Sequence, residues 1–105
     1  MHLTKIYADD CRVCQQLGDK AKALAEEAGF AYGEVELSVL AGNPSPIRDY
    51  VSSYHLDKDG MVDIPIYVIT TPQGHIQGSS VVKTLDEVAN LIEAWKRWES
   101  PQKQS

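Results

Sequence analysis

The chain contains two cysteines, Cys11 and Cys14, and they lie three positions apart near its beginning. A pair so close in sequence cannot cross-link distant segments, so a disulfide-rich scaffold is excluded and the fold must depend on a hydrophobic core. The 105 residues, 43% of them hydrophobic, are enough to form one such core. The main question about function is therefore which chemistry this pair of close cysteines supports in a small globular domain.

The charge balance and the apolar runs narrow the classes of function. Fifteen Asp and Glu against ten Lys and Arg give a formal net charge of −5, and the basic residues form no cluster. We therefore expect neither a nucleic acid nor a membrane as a partner. The longest apolar run, residues 64–69, is far shorter than the ~20 residues of a spanning helix, and the first residues lack the pattern of a secretory signal. We expect a cytoplasmic protein, where a close cysteine pair is catalytic or metal-binding rather than structural.

The first half of the chain has the hydrophobic pattern of a strand, a helix and a second strand. Residues 2–8 and 31–38 are typical of strands. Between them, an apolar stripe from Val13 to Ala28 at spacings of three and four predicts an amphipathic helix. Asp10 is its predicted N-cap, and Gly29 is predicted to end it in a Schellman-type turn.

The second half predicts a helix, a hairpin and a last helix. After a breaker at residues 41–44, Ser45 and Pro46 are typical of the N-cap and first position of a helix. Residues 64–70 and 75–78 are predicted to be the two strands of the hairpin. A capping box formed by Thr84 and Glu87 begins the last helix, whose apolar face continues through Trp95 to Trp98.

The predicted order is βαβαββα. The first crossover implies a parallel pair of strands and the hairpin adds an antiparallel edge, so we expect an α/β fold with a four-stranded mixed sheet and helices on both faces. We predict a single domain over residues 1–99 and a polar C-terminal tail over residues 100–105.

Three features together resemble the thioredoxin-fold superfamily: a first strand, a CxxC sequence at the start of the first helix, and Ile64 followed by Pro65 at the third strand. The resemblance covers about residues 2–98. Because ten residues precede Cys11, the chain is similar to the compact glutaredoxin-type core, whereas larger thioredoxins carry an extra strand and helix. The resemblance implies a glutaredoxin-like or thioredoxin-like thiol-disulfide oxidoreductase. Its partners would be a disulfide-containing protein as substrate and either thioredoxin reductase or glutathione as electron donor.

The position of the two cysteines on the helix predicts their roles. Cys11 lies at the amino end, where free N–H groups and the helix dipole stabilise a thiolate, so it is the predicted nucleophile. Cys14, one turn further, is the predicted shielded, resolving thiol. The intervening Arg12 and Val13 match neither the Gly and Pro of typical thioredoxins nor the Pro and Tyr of typical glutaredoxins. Arg12 favours the thiolate or is a solvated charge.

The resemblance also implies the residues that bind substrate. In the superfamily, the proline that follows an apolar residue at this place is cis and faces the CxxC, and the resemblance implies the same for Pro65 after Ile64. The simpler alternative is a trans proline at the start of an edge strand. Gly78 falls where these proteins keep a glycine for the approach of the substrate backbone, and its alternative is a turn glycine. We therefore predict that Arg12, Val13, Ile64, Pro65 and Gly78 contact substrate. The acidic residues with which glutaredoxins bind glutathione do not follow Gly78, so thioredoxin-like use of protein disulfides is at least as well supported.

Lys5 departs from the superfamily pattern. Thioredoxins bury a carboxylate six residues before the first cysteine of the CxxC, and this chain has Lys5 at that position. The acid relay is therefore not carried over. We interpret Lys5 as a strand-end charge that reaches solvent, with a role beside the thiolates or a glutathione carboxylate as the alternative.

Zinc binding and a non-enzymatic role are the competing interpretations. His2, His55 and His75 have no zinc-finger spacing to the cysteines or to one another, so no metal site is predicted. We expect no tightly bound cofactor, with glutathione as a candidate reductant, and a monomeric protein. The second class of function is a thioredoxin-fold adaptor whose CxxC senses redox state or merely stabilises the fold.

Overall fold

The computed structural model describes the backbone of residues 1–9 and 11–104, and the side chains of these residues except 13 and 97–104. Within them, strands and helices follow one another as β1 (His2–Tyr7), α1 (Arg12–Glu27), β2 (Ala31–Glu36), α2 (Leu37–Gly42), α3 (Pro46–Tyr54), β3 (Ile66–Thr70), β4 (Ile76–Val81) and α4 (Leu85–Gln104). In the described part of the chain, no helix is both long enough and apolar enough to cross a membrane.

The strands form one sheet in the order β2-β1-β3-β4. β1 is parallel to β2 and antiparallel to β3, and β3 is antiparallel to β4. This arrangement confirms the predicted four-stranded mixed sheet. Strands β1 and β2 are parallel because the chain between them crosses over the sheet as α1. The antiparallel edge follows from the hairpin between β3 and β4.

The sheet has a core on each face. Leu3 and Ile6 of β1 point to opposite faces, because side chains alternate along a strand. The Leu3 face packs against α1 and α4, in a cluster of Leu3, Leu17, Ala21, Ala25, Phe30, Tyr67, Ile69, Val82, Val88 and Ile92. The Ile6 face packs against α2 and α3, in a smaller cluster of Ile6, Leu40, Val51, Ile66 and Val68.

Helix α1 ends as its sequence predicts. Gly29 has φ 84°, in the left-handed region that glycine tolerates. The N–H of Phe30 donates to the carbonyl of Ala25 at 2.9 Å, and the N–H of Gly29 donates to the carbonyl of Glu26 at 3.0 Å. These two bonds are the Schellman pattern. They turn the chain from α1 directly into β2.

The predicted starts of the two later long helices are also confirmed. The hydroxyl of Ser45 accepts the N–H of Arg48 at 3.0 Å, with Pro46 at the first position of α3. The hydroxyl of Thr84 accepts the N–H of Glu87 at 3.2 Å at the start of α4. Each cap satisfies a backbone donor that the first helical turn leaves free.

Several predicted boundaries are wrong. A short helix, α2, occupies residues 37–42, where the sequence predicted the end of a strand and a breaker. The cause is Glu36, whose carboxylate accepts the N–H groups of Ser38 and Val39 at 3.1 and 3.3 Å and also the Ser38 hydroxyl. These hydrogen bonds lower the pKa of Glu36. The Glu36 carboxylate thus acts as an N-cap and starts a helix. The alternation of apolar and polar residues around Glu36 is nevertheless typical of a strand.

The other differences concern element ends. β3 begins at Ile66 rather than at residue 64, and β4 continues to Val81 rather than ending at Gly78. Helix α4 runs from Leu85 to Gln104.

Candidate active site at the amino end of helix α1

Cys11 and Cys14 are joined by a disulfide, with their Cα atoms 5.2 Å apart. Cys11 is the N-cap of α1, and its Sγ accepts the backbone N–H of Cys14 at 3.1 Å. Asp10, the N-cap predicted from the sequence, lies outside the described residues. Because the free N–H groups and the dipole of a helix start favour negative charge, this position suits a thiolate on Cys11.

The two sulfurs differ in their access to solvent. Cys14 is 3% exposed, whereas Cys11 is partly exposed. The prediction that Cys14 is shielded is confirmed. An approaching thiol or disulfide can therefore reach Cys11 and is kept from Cys14. Arg12, between them, is exposed, and the side chain of Val13 lies outside the described part.

The Ile64–Pro65 bond is cis, as the sequence resemblance implies. Ile66, the next residue, pairs with Ile6 near the end of β1. Because β1 and β3 are antiparallel, the segment that follows Tyr7 and leads to Cys11 leaves the sheet at the same end at which Pro65 enters it. The sheet thus places the cysteine pair and the Ile64–Pro65 segment at one edge of the molecule.

Lys83 is a residue of this edge that the sequence analysis missed. Its Nζ donates to Oδ1 of Asp63 at 2.8 Å and to the carbonyl oxygen of Ile64 at 2.6 Å. The neighbouring Val82 donates its N–H to the carbonyl of Pro65 at 3.1 Å. The segment that follows β4 therefore holds the Ile64–Pro65 segment through hydrogen bonds to both of its carbonyl groups. No local sequence signal reveals this contact, because it depends on the register of β3 with β4.

Gly78 lies elsewhere. It is within β4, opposite Ile69, three positions along β3 from Ile66. A Cβ at Gly78 would lie 2.9 Å from Cζ2 of Trp95, so the indole ring occupies the space that any side chain would need. The structure thus explains this glycine by packing between β4 and α4, and it does not join Gly78 to the Ile64–Pro65 segment.

The interpretation of Lys5 as a charge that reaches solvent is wrong. Lys5 is 4% exposed, and its Nζ donates to the backbone carbonyl of Cys14 at 2.8 Å. It lies two residues after Leu3 on the same face of β1, the face covered by α1, and this placement buries it under the CxxC. Its Nζ is 3.7 Å from Oε2 of Glu34 and 5.9 Å from the centre of the Tyr7 ring.

Polar side chains surround this lysine on the neighbouring strands. Glu34 and Tyr67 are its register partners on β2 and β3. The hydroxyl of Tyr32 donates to Oε2 of Glu34 at 2.8 Å, and burial, followed by this hydrogen bond, raises the pKa of Tyr32 well above its usual value. Burial also raises the pKa of Tyr67 to about 12. Both tyrosines are therefore neutral at physiological pH, and the charged register partner of Lys5 on the sheet is Glu34.

The histidines lie apart from the cysteines. His2 and His75 are exposed, while Nε2 of His55 lies 2.6 Å from Oγ of Ser79, where burial lowers the pKa of His55. Among the described residues, no three His, Cys, Asp or Glu side chains are grouped as a metal site requires.

Two solved structures resemble most of the chain. Thioredoxin 1 from Thermosipho africanus TCF52B superimposes with a TM-score of 0.63 at 18% identity, over 95% of this chain and 99% of that one. The reduced thioredoxin pre-protein of Schistosoma mansoni superimposes with a TM-score of 0.62 at 17% identity, over 88% of this chain and 75% of that one. No protein-family model matches, and no curated protein matches at a significant level. The sheet order, the helices on both faces and these superpositions show that the chain has the thioredoxin fold.

Proposed function

We propose that this protein is a thiol-disulfide oxidoreductase that exchanges electrons with a disulfide of a protein substrate through Cys11 and Cys14. The observation that carries the proposal is the asymmetry of the pair. Cys11 is partly exposed at a helix N-cap and accepts a backbone N–H, while Cys14, already bonded to it, is 3% exposed. One sulfur is placed to attack and the other to resolve.

The proposed reaction has two exchange steps. The Cys11 thiolate attacks one sulfur of the substrate disulfide, whose S–S bond breaks, and the other substrate sulfur leaves with the electron pair and takes a proton from water. Cys14, after losing its proton, attacks Cys11 in the mixed disulfide and releases the second substrate sulfur as a thiol. The substrate gains two electrons, and the enzyme returns to the Cys11–Cys14 disulfide.

Arg12 and the Ile64–Pro65 segment are the proposed substrate contacts. Arg12 is exposed next to Cys11, and Ile64–Pro65 emerges at the same end of the sheet. Gly78, which lies against Trp95, is left out of this surface. We propose a thiol-reducing compartment such as the cytoplasm as the setting, with thioredoxin reductase or glutathione regenerating the dithiol and no bound cofactor.

A trapping experiment tests the proposal. In a Cys14→Ser variant the mixed disulfide cannot be resolved, so we expect covalent complexes with a disulfide substrate such as insulin, visible on non-reducing gels and reversed by dithiothreitol. The Cys11→Ser variant is the matched control and should form few or none. A thioredoxin-fold adaptor would give no complexes with Cys14→Ser and no insulin reduction by the wild type, and this result would exclude the proposed enzyme.

The electron donor is tested separately. Insulin reduction by the wild type is measured with NADPH and thioredoxin reductase, and again with NADPH, glutathione reductase and glutathione. Turnover with one system and not the other identifies the donor. Absence of turnover with both, together with no reduction by dithiothreitol-treated protein, would contradict oxidoreductase activity.

A further inference from the structure

The reaction above leaves one buried charge without a role. Lys5 is 4% exposed, and an ammonium group is rarely buried so deeply without a reason, because removing it from water is costly. Its compensation is incomplete. Glu34, at 3.7 Å, has a side chain 42% exposed and shares the same oxygen with the Tyr32 hydroxyl. The direct hydrogen bond from Lys5 goes to a neutral group, the Cys14 carbonyl, at 2.8 Å.

A cavity connects this lysine with the resolving cysteine and with solvent. Its volume is about 250 Å³, and its lining includes Lys5, Cys14, Gly18, Asp9, Asp19 and Glu34. Water needs only ~30 Å³ per molecule, so several molecules fit. Gly18 lines the cavity where α1 is kinked, with φ 33° and ψ −132°. The kink lies one turn beyond Cys14, on the part of α1 that covers Lys5.

The charge on Cys14 changes during the reaction. In the disulfide the sulfur of Cys14 is neutral. When a small thiol reduces the enzyme, its thiolate attacks Cys11, the Cys11–Cys14 bond breaks, and Cys14 leaves with the electron pair as a thiolate. A second thiol then releases Cys11 and forms the oxidised small-molecule disulfide, with two electrons transferred to the enzyme. A nearby cation interacts more favourably with the thiolate than with the disulfide.

We propose that Lys5 is a positioning residue of the redox site, whose buried ammonium stabilises the reduced Cys14 thiolate and makes the Cys11–Cys14 couple more oxidising. This inference rests on the proposed function. Glu34 opposes the effect, because its carboxylate both neutralises Lys5 and adds negative charge on the same side of the sheet. Asp9 and Asp19 line the cavity and act in the same direction as Glu34.

The test is an equilibrium titration of the couple in glutathione buffers, read by alkylation of free thiols and gel shift. Lys5→Met keeps the length of the side chain and removes the charge. We expect its equilibrium constant to shift about tenfold toward the disulfide at pH 8, a potential lower by ~30 mV for a two-electron couple. Lys5→Arg keeps the charge, so its equilibrium constant should lie close to that of the wild type. Lys20→Met, an exposed lysine of α1, is the matched control and should titrate as the wild type does.

The pH dependence separates an electrostatic role from a merely structural one. An ordinary thiol ionises near pH ~8.5, so at pH 6 the reduced cysteines carry less negative charge for Lys5 to stabilise. The carboxylates that line the cavity with Lys5, namely Asp9, Asp19 and Glu34, are present in both the wild type and Lys5→Met, so the comparison keeps them constant. We therefore expect the difference between Lys5→Met and the wild type to shrink at pH 6. A difference equal at every pH, or no difference at all, would overturn the proposal.

Glu34→Gln is an independent test, because it should shift the redox potential in the direction opposite to Lys5→Met. Glu34 lies on edge strand β2 and is exposed, so the variant should fold even where Lys5→Met does not. We expect its potential to rise, and an unchanged or lower potential would contradict the proposal. The titration uses no protein substrate. If the wild type titrates reversibly but reduces no protein disulfide, the proposed function is refuted, and the effect of Lys5 on the potential can still be measured. If the cysteine couple does not titrate, both proposals are refuted.

Discussion

Trp95 of α4 closes over Gly78 of β4, and the position of a Cβ at Gly78 lies 2.9 Å from Cζ2 of the indole. A strand glycine thus marks the place where the last helix meets the sheet. An aromatic ring cannot bend away as a flexible chain end does, so added volume here must displace the ring or the strand.

Replacement of Gly78 tests this packing role. We expect Gly78→Ala to lower the free energy of unfolding by about 1–3 kcal/mol, measured by urea denaturation of the oxidised protein. Gly33→Ala is the matched control, since Gly33 also lies in a strand but has open space around its Cβ position and should tolerate alanine. A stable Gly78→Ala protein with weakened substrate turnover would instead support the substrate-binding role expected from the sequence.

Removal of Lys83 should affect turnover more than redox equilibrium. Lys83→Met removes the bonds to Asp63 and to the Ile64 carbonyl, and so frees the segment proposed to contact substrate. Because Lys83 is on the surface, we expect kcat/KM for insulin reduction to fall about two- to tenfold, or roughly 0.4–1.4 kcal/mol. The potential in glutathione buffers should not change. Lys58→Met, at an exposed loop position, is the control, and equal turnover of the two variants would show that Lys83 has no such role.

The kink of α1 requires a glycine. Gly18 has φ 33° and ψ −132°, a combination that side-chain-bearing residues rarely adopt. We expect Gly18→Ala to destabilise the protein by about 1–3 kcal/mol in urea denaturation. Gly42→Ala in α2, a helical glycine without positive φ and with open space around it, should be neutral or slightly stabilising. If both variants behave alike, the kink is not needed for stability.

His55 should make stability depend on pH. Burial lowers its pKa, so the unfolded chain binds a proton at higher pH than the folded protein does. The stability that the neutral imidazole provides is complete above the unfolded pKa of about 6.5 and is lost as the pH falls from there through the lower folded value. We expect the difference in unfolding free energy between wild type and His55→Gln to change in this window, in favour of the variant at lower pH.

The measurement is urea denaturation at several pH values from 7.5 to 5. The same substitution at His75 is the control, because His75 is exposed whereas His55 is partly buried. Parallel stability curves for the wild type and His55→Gln would contradict the predicted linkage.

Features that depend on residues near each other in sequence were predictable. Local chemistry determines these features, because each depends on bonds between residues a few positions apart. They are the turn at Gly29, the caps at Ser45 and Thr84, and the Cys11–Cys14 pair. The start of α2 at Glu36 was missed although it is local, because one carboxylate overrode an alternating pattern.

The environments of Lys5, Gly78 and Lys83 were decided by the tertiary structure. Each depends on a partner distant in sequence: Lys5 on the helix that crosses β1, Gly78 on Trp95, and Lys83 on the loop before β3. The sequence by itself determined the four strands and the three longer helices and placed the sulfur pair at a helix start, because periodicity and capping are short-range. Only the assembled sheet decided that Lys5 lies beneath Cys14 and that Gly78 lies against Trp95, because strand register and helix packing set the neighbours of each side chain.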